Sequence, residues 1–334
     1  MPESSILWRL FRILILCMLP VSVFAETDVS TDMLMRMQEA VKGINYSGTL
    51  VHMSPGRAEQ FRVYHRVEGQ SSTERIVLMD GAGAEIIRND DEVICIFPGK
   101  QSVVVEKRVE KSIEQSPLRA SLPAYTDELI EYYRIRMEGV DRIAERPASI
   151  IAIDPRDQFR YGYRLWLDED TAMPLKTQLI HEDKSMPLEE IRFTSISMPE
   201  SISIDDVTPA IDTSSYNVVL HPKRPVPDDA DLQQIRWRAD SPPAGFRLKV
   251  KRYEYMEGGS QPRVHLVYTD GLASVSVFLD ADVSEPEKGE GLTIMGASNA
   301  YTVMNDGYLV TAMGEVPART VRQMALSMVN DSQE

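Results

Sequence analysis

The chain has 334 residues, with 36 Lys and Arg against 51 Asp and Glu, a formal net charge of −15 and two cysteines. That acidic balance repels nucleic acid and disfavours non-specific attachment to anionic membranes. A length above about 300 residues exceeds what one hydrophobic core usually serves, so two domains are expected.

At the N-terminus Arg9 and Arg12 precede an apolar run over 13–24, and Val23-Phe24-Ala25 places small residues at the −3 and −1 positions of a signal-peptidase site. Residues 1–25 are therefore read as a signal peptide cleaved after Ala25, and the mature chain as exported. Pro20 breaks the run, which is shorter than the roughly 20 residues that span a bilayer. Cys17 follows the bulky Ile15 and Leu16, which argues against a lipoprotein signal. Losing Arg9, Arg12 and Glu3 with this segment would move the net charge from −15 to −16. Cys95 would then be the sole cysteine, unable to form an intramolecular disulfide, and its apolar surroundings read as a buried small hydrophobe.

A helix is predicted over 32–44, capped by Ser30, Thr31 or Asp32 and burying Met33, Met37, Val41 and Ile44. The hydrophobic period then drops from about 3.6 to 2. Strands are predicted at 61–67, 75–79, 85–87, 93–97 and 102–106, separated by turn signals such as Ser54-Pro55-Gly56 and Asn89-Asp90-Asp91. Residues 113–131 read as an irregular loop entering a short helix. Strands resume at 149–153, 160–167, 175–181 and 188–197. A large, curved, unclosed antiparallel sheet with one or two helices on its concave side accounts for this pattern.

Periodicity disappears over 205–231, where Pro209, Pro222, Pro225 and Pro227 accumulate beside acidic pairs. This stretch is the expected linker, dividing a first domain at 26–204 from a second at 232–330. In the second half, strands are predicted at 246–253, 264–268, 273–280, 301–304 and 308–313. A closing helix follows, with Pro317 in its first turn and Val321, Met324, Ala325 and Met328 on its buried face. The second domain is thus a small α+β unit.

Screens for catalytic and metal-binding motifs find none: there is no His-Glu-x-x-His, paired Cys motif, Walker loop or Gly-x-Ser-x-Gly. Among the five histidines, His52 and His65 alone are expected to face each other across one hairpin, and two histidines make an incomplete metal site. No catalytic residue, metal or cofactor is expected.

Two other features point to binding. Arg247, Lys249 and Lys251 alternate with Leu248 and Val250, which predicts three cations on one strand face; this is either a solvated outer face or a docking stripe for an acidic peptide or lipid phosphates. Residues 93–97 and 103–105 are apolar on both faces, so the second face is either covered core or the wall of an acyl-chain cavity.

The segment Leu266-Val267-Tyr268-Thr269-Asp270-Gly271-Leu272-Ala273-Ser274-Val275-Ser276-Val277-Phe278 resembles the matching stretch of the RseB/MucB family of periplasmic regulators of the sigma-E envelope-stress response. Trp237 with Pro243-Ala244-Gly245-Phe246, Gly314-Glu315-Val316-Pro317, Trp166-Leu167-Asp168 and Met173-Pro174-Leu175-Lys176 extend the resemblance over most of the chain. The resemblance implies a first domain similar to LolA and LolB, an unclosed antiparallel β-barrel around a hydrophobic cavity, joined to a smaller C-terminal domain. It also implies a periplasmic, non-enzymatic negative regulator. Such a protein binds the periplasmic domain of a RseA/MucA-type anti-sigma factor, shields it from the site-1 protease, and releases it on a lipid or lipopolysaccharide signal.

Under that reading Arg247, Lys249, Lys251 and Tyr253 are the candidate partner contacts, and Ile94, Ile96, Tyr163, Leu165 and Phe193 are the candidate lipid-cavity residues. The motif residues themselves read as turn and core positions. Nucleic acid is not an expected partner, and homo-oligomerisation is left open. The competing function is a soluble periplasmic lipid or lipoprotein carrier that uses the same cavity, although such a carrier would have no need of the C-terminal domain.

Overall fold

A computed structural model describes residues 22–107, 122, 128–181, 186–221, 235–255, 262–281 and 290–331. Residues 1–21 of the segment expected to be a signal peptide, most of the loop before residue 128, and residues 222–234 lie outside them.

Helix α1 (Ser22–Gly43) starts about ten residues earlier than periodicity predicts. Its Met33, Leu34, Met37 and Val41 are buried, as the 3.6-residue spacing requires. Ile44 lies just beyond the helix and is half-buried. Strands β1 (Tyr46–Ser54), β2 (Arg57–Glu68), β3 (Ser71–Leu78), β4 (Glu85–Arg88), β5 (Glu92–Phe97) and β6 (Ser102–Lys107) form one antiparallel meander. The short helix α2 (Leu129–Tyr132) leads into a second: β7 (Tyr133–Ile143), β8 (Arg146–Pro155), β9 (Gly162–Asp168), β10 (Pro174–Ile180) and β11 (Glu189–Ser197).

β1 joins the two meanders. It pairs with β2 on one side and with β11 on the other, where Leu50 faces Phe193 and His52 faces Ile191. The result is a twelve-stranded, unclosed sheet whose end strands are β7 and β12 (Asn217–His221). α1 packs on one face of it. Met33, Leu34 and Met37 meet Leu129, Tyr133, Ile135, Ile151 and Leu165, while Val41 meets Tyr46, Leu50, Val63 and Phe193. Each such side chain contributes about 1.5–3 kcal/mol when fully buried.

The expected linker is only partly a linker. Residues 204–207 form a 3₁₀ turn whose Asp206 carbonyl accepts from Arg75, and the Ala210 amide donates to Glu85. Residues 217–221 then pair in parallel with β6, so the sheet is not wholly antiparallel. A proline-rich segment can lie on a sheet surface and still supply one edge strand, because an edge strand needs only half of its backbone groups paired.

The second domain carries a six-stranded antiparallel sheet in the order β14-β15-β16-β19-β18-β17: β14 (Arg247–Tyr255), β15 (Pro262–Thr269), β16 (Ser274–Ala281), β17 (Gly291–Met295), β18 (Ser298–Asn305) and β19 (Tyr308–Gly314). The short strands β13 (Trp237–Ala239) and β20 (Met328–Asn330) pair beside it. Helix α3 (Ala318–Leu326) lays Val321, Met324 and Ala325 on Leu266, Val275, Val277, Val310 and Ala312. Pro317 precedes the helix as its N-cap instead of sitting in its first turn, and Met328 joins the same core from β20. Gly314 is required by close approach, since a Cβ there would lie 2.3 Å from the Ser274 carbonyl oxygen.

Candidate functional site

The two domains meet through a buried ionic joint. Arg160, between β8 and β9, has no exposed side-chain surface, and its Nη1 lies 3.1 Å from Asp270 Oδ2, whose side chain is equally enclosed. Arg160 Nε lies 3.2 Å from Asp157, and Nη2 donates to the Ala244 carbonyl. Tyr132, Phe246 and Tyr133 surround the guanidinium, with ring centroids 4.8, 5.3 and 5.5 Å from it. These faces carry negative quadrupole density, so they favour the cation while excluding water. Tyr133 donates to Asp270 at 3.1 Å. Burial, reinforced by the Asp270 charge, pushes its phenol well above the usual range and keeps it a donor.

Asp270 also accepts from the Leu272 and Ala273 amides through Oδ1. One carboxylate thus shapes the β15–β16 turn and binds the other domain. Gly245 (φ +85°) lies against the Tyr132 ring, where a Cβ would come within 2.6 Å. Further contacts extend the joint: Asn299 donates to the Tyr161 hydroxyl at 3.1 Å, and Thr320 donates to the Phe159 carbonyl at 2.6 Å. Ala297 packs with Tyr161, Leu179 and Leu188. In the sequence Asp270-Gly271 marks a turn, and Arg160 opens a predicted strand. Neither position carried a signal that the two would meet.

The cationic stripe is not continuous. A β-bulge between Leu248 and Val250 shifts the register, so Arg247 pairs with Thr269 while Lys251 pairs with the buried Leu266. An extra residue reverses the alternation of faces, which puts Arg247 and Lys251 on opposite sides of β14. Arg247 bonds Glu128 of the first domain at 3.0 Å. Burial and the Arg236 charge lower the Lys251 pKa. Tyr253 packs against the second-domain core, and Lys249 is exposed.

The cavity candidates disperse likewise. Ile94 and Ile96 belong to a cluster with Ile87 and Val103, covered by Ile211 and Tyr216 from the stretch expected to be linker. Leu165 lies in the cluster under α1, Phe193 packs with Tyr46, and Tyr163 sits between two clusters. Cys95 is half-buried, and burial raises its thiol pKa, as suits an unreactive side chain.

His52 and His65 do not face each other: His52 pairs with Glu59 and His65 with Tyr46 across the β1–β2 hairpin. His52 Nε2 lies 3.5 Å from Glu189, which raises its pKa, and His65 stacks on Tyr46. On the outer face of the second sheet, His265 bridges Glu254 at 2.9 Å and Ser276 at 3.1 Å. Arg252 and Arg263 also bond Glu254. Burial alone would raise this carboxyl, but those hydrogen bonds and His265 outweigh it and hold the pKa at about 2. Among the described residues no His, Cys, Asp and Glu cluster is arranged to hold a metal ion, and no helix is long and apolar enough to cross a membrane.

This architecture defines a two-domain β-sheet protein in which an open, helix-backed sheet is joined to a smaller sheet through a buried ion pair. The chain belongs to the MucB/RseB family. Its residues 30–211 match the MucB/RseB N-terminal domain and residues 231–329 the C-terminal domain. It is 32% identical over 304 residues to the sigma factor AlgU regulatory protein MucB of Pseudomonas aeruginosa, covering 90% of each chain. It is 25% identical over 306 residues to the sigma-E factor regulatory protein RseB of Escherichia coli, covering 90% of this chain and 91% of that one. The structure of a Pseudomonas aeruginosa MucA/MucB complex superposes with a TM-score of 0.69 and 29% identity, covering 90% of this chain and 99% of that one.

Proposed function

We propose that this chain is a periplasmic negative regulator that binds the periplasmic domain of a MucA/RseA-type anti-sigma factor and shields it from its first protease. A lipid or lipopolysaccharide signal then releases the guarded partner. The observation that carries this reading is the ordered match of both family domains, together with the likeness to a MucB structure described in complex with MucA(peri) (TM-score 0.69, 28% identity).

The lipid step rests on the family resemblance and on the unclosed first sheet, whose edge strand β12 leaves Val218 and Leu220 exposed. In physical terms the two ligands are coupled. Lipid must favour an arrangement that holds the partner less tightly, and the partner must in turn weaken lipid binding by the same factor.

The test is digestion of a tagged anti-sigma periplasmic domain by its membrane protease, with and without the mature protein, then with added acyl lipid. Protection that lipid reverses is the expected result. Cleavage at one rate throughout, with both proteins folded, would sink the regulator reading in favour of a lipid carrier.

A further inference from the structure

The inner face of the second sheet is only partly covered. Six strands at about 4.8 Å spacing span roughly 24 Å, whereas one helix is about 10–12 Å across. α3 packs mainly over β18, β19 and β16. β17, at the sheet edge, is left with Leu292 47% and Ile294 66% exposed. These two side chains share the helix-side face, because Leu292 pairs with Tyr301, which packs on the core, and Ile294 pairs with the buried Asn299.

Between that strand and α3 lies a cavity of about 610 Å³, lined by Leu292, Tyr301, Arg319, Arg322, Gln323 and Leu326 among others. Arg319, Arg322 and Leu326 recur at three- and four-residue steps, on the exposed flank of α3 that faces the cavity. Neither arginine makes an ion pair among the described residues, in a chain of net charge −15 whose other arginines are so often paired. β17 therefore offers three things at once: a strand edge, exposed apolar side chains, and two cations beside a cavity of ligand size.

We propose that this groove is where an extended acidic–apolar segment of the guarded protein docks, adding as a seventh strand to β17. An apolar side chain of the segment enters the cavity, and its carboxylates meet Arg319 and Arg322. Strand addition draws affinity from main-chain hydrogen bonds and specificity from alternate side chains, and this edge presents receptors for both. Charge complementarity favours a peptide with carboxylates, since two guanidiniums can each hold one bidentately. The inference rests on the regulator reading and names the surface through which it works.

The test measures affinity of the mature full-length protein for the anti-sigma periplasmic domain by fluorescence anisotropy, alongside hydrogen exchange of the complex. The double variant Arg319→Glu/Arg322→Glu is expected to bind at least tenfold more weakly, and Arg319→Lys/Arg322→Lys to fall between it and wild type, because the charge stays while the bidentate geometry is lost. Leu292→Asp is expected to weaken binding while leaving the melting temperature unchanged, and the β17 amides of the wild type should gain protection in the complex.

If wild type binds but the variants bind equally well and β17 exchange is unaltered, the groove assignment fails and the regulator reading stands. If wild type does not bind at all, both fail. Should the double variant unfold, Leu292→Asp and wild-type exchange decide. Protection of β17 that grows with protein concentration alone, or that appears with phosphatidylglycerol vesicles instead of the partner, would reassign the groove to a second copy or to lipid and overturn the proposal.

Discussion

Asp270 connects local and long-range structure. Its Oδ1 closes the β15–β16 turn and its Oδ2 meets Arg160 and Tyr133 of the other domain. Removing Asp270 leaves the enclosed Arg160 with only the part-exposed Asp157 beside it, and breaking a buried pair in this way costs about 3–5 kcal/mol, even though forming the pair yields far less. Asp270→Ala is therefore expected to lower unfolding free energy by that amount in urea titration, and a loss below about 1 kcal/mol would show that Asp157 or water compensates Arg160. The turn itself was legible, because Asp-Gly is a turn signal and Asp accepts from amides two residues on. The ionic role was not, since nothing local in a sequence marks which of its many Asp residues faces a buried Arg about a hundred positions away.

At the scale of elements, most strands follow the alternation of the sequence, and β7 follows it too in Tyr133-Arg134-Ile135-Arg136-Met137, although no strand is predicted there; β1 and β12 escape it. β1 carries Gly48 and mixed polarity, and its strand state is fixed by long-range partners on both sides. In β17 the alternation Leu292-Thr293-Ile294 is too short to signal a strand, and no residue of it is buried because its inner face is uncovered. The cationic stripe of β14 looked continuous because one-letter spacing cannot show a bulge; the bulge places Arg247 and Lys251 on opposite faces.

The outer face of β14–β16 makes a pH prediction. With the Glu254 carboxyl held at about 2 against an unperturbed 4.5, its contribution to stability is full above pH 4.5 and is lost as pH falls toward 2. The His265 pKa is lowered, chiefly by burial, so its neutral form also favours the folded state and is lost as pH falls from 6.5. Acid unfolding of Glu254→Gln should show a flatter fall between pH 4.5 and 2 than wild type, and an unchanged slope would remove Glu254 from the account.

For the whole molecule, the joint at Arg160, with Asn299, Thr320 and Ala297 beside it, couples two hydrophobic cores that share little sequence-local structure. Wild type is expected to unfold in one calorimetric transition, and Asp270→Ala in two, because the desolvated contact that makes the domains cooperate is lost. Two transitions already present in wild type would show that the joint contributes no cooperativity.

The sequence by itself determined the two-domain β architecture, the α1 and α3 faces and the turn chemistry, because hydrophobic period and the placement of turn residues are local properties; the start of α1 was not among them, since Ser30, Thr31 and Asp32 lie inside that helix instead of capping it. The family likewise lay open in contiguous motifs such as 266–278. Tertiary structure alone decided that β1 joins β11, that Ile211 and Tyr216 cover Ile94 and Ile96, that Arg160 is enclosed against Asp270, and that Arg319 and Arg322 border an uncovered strand. Each of these is a contact between distant segments, and its energy comes from water excluded only once the chain has folded.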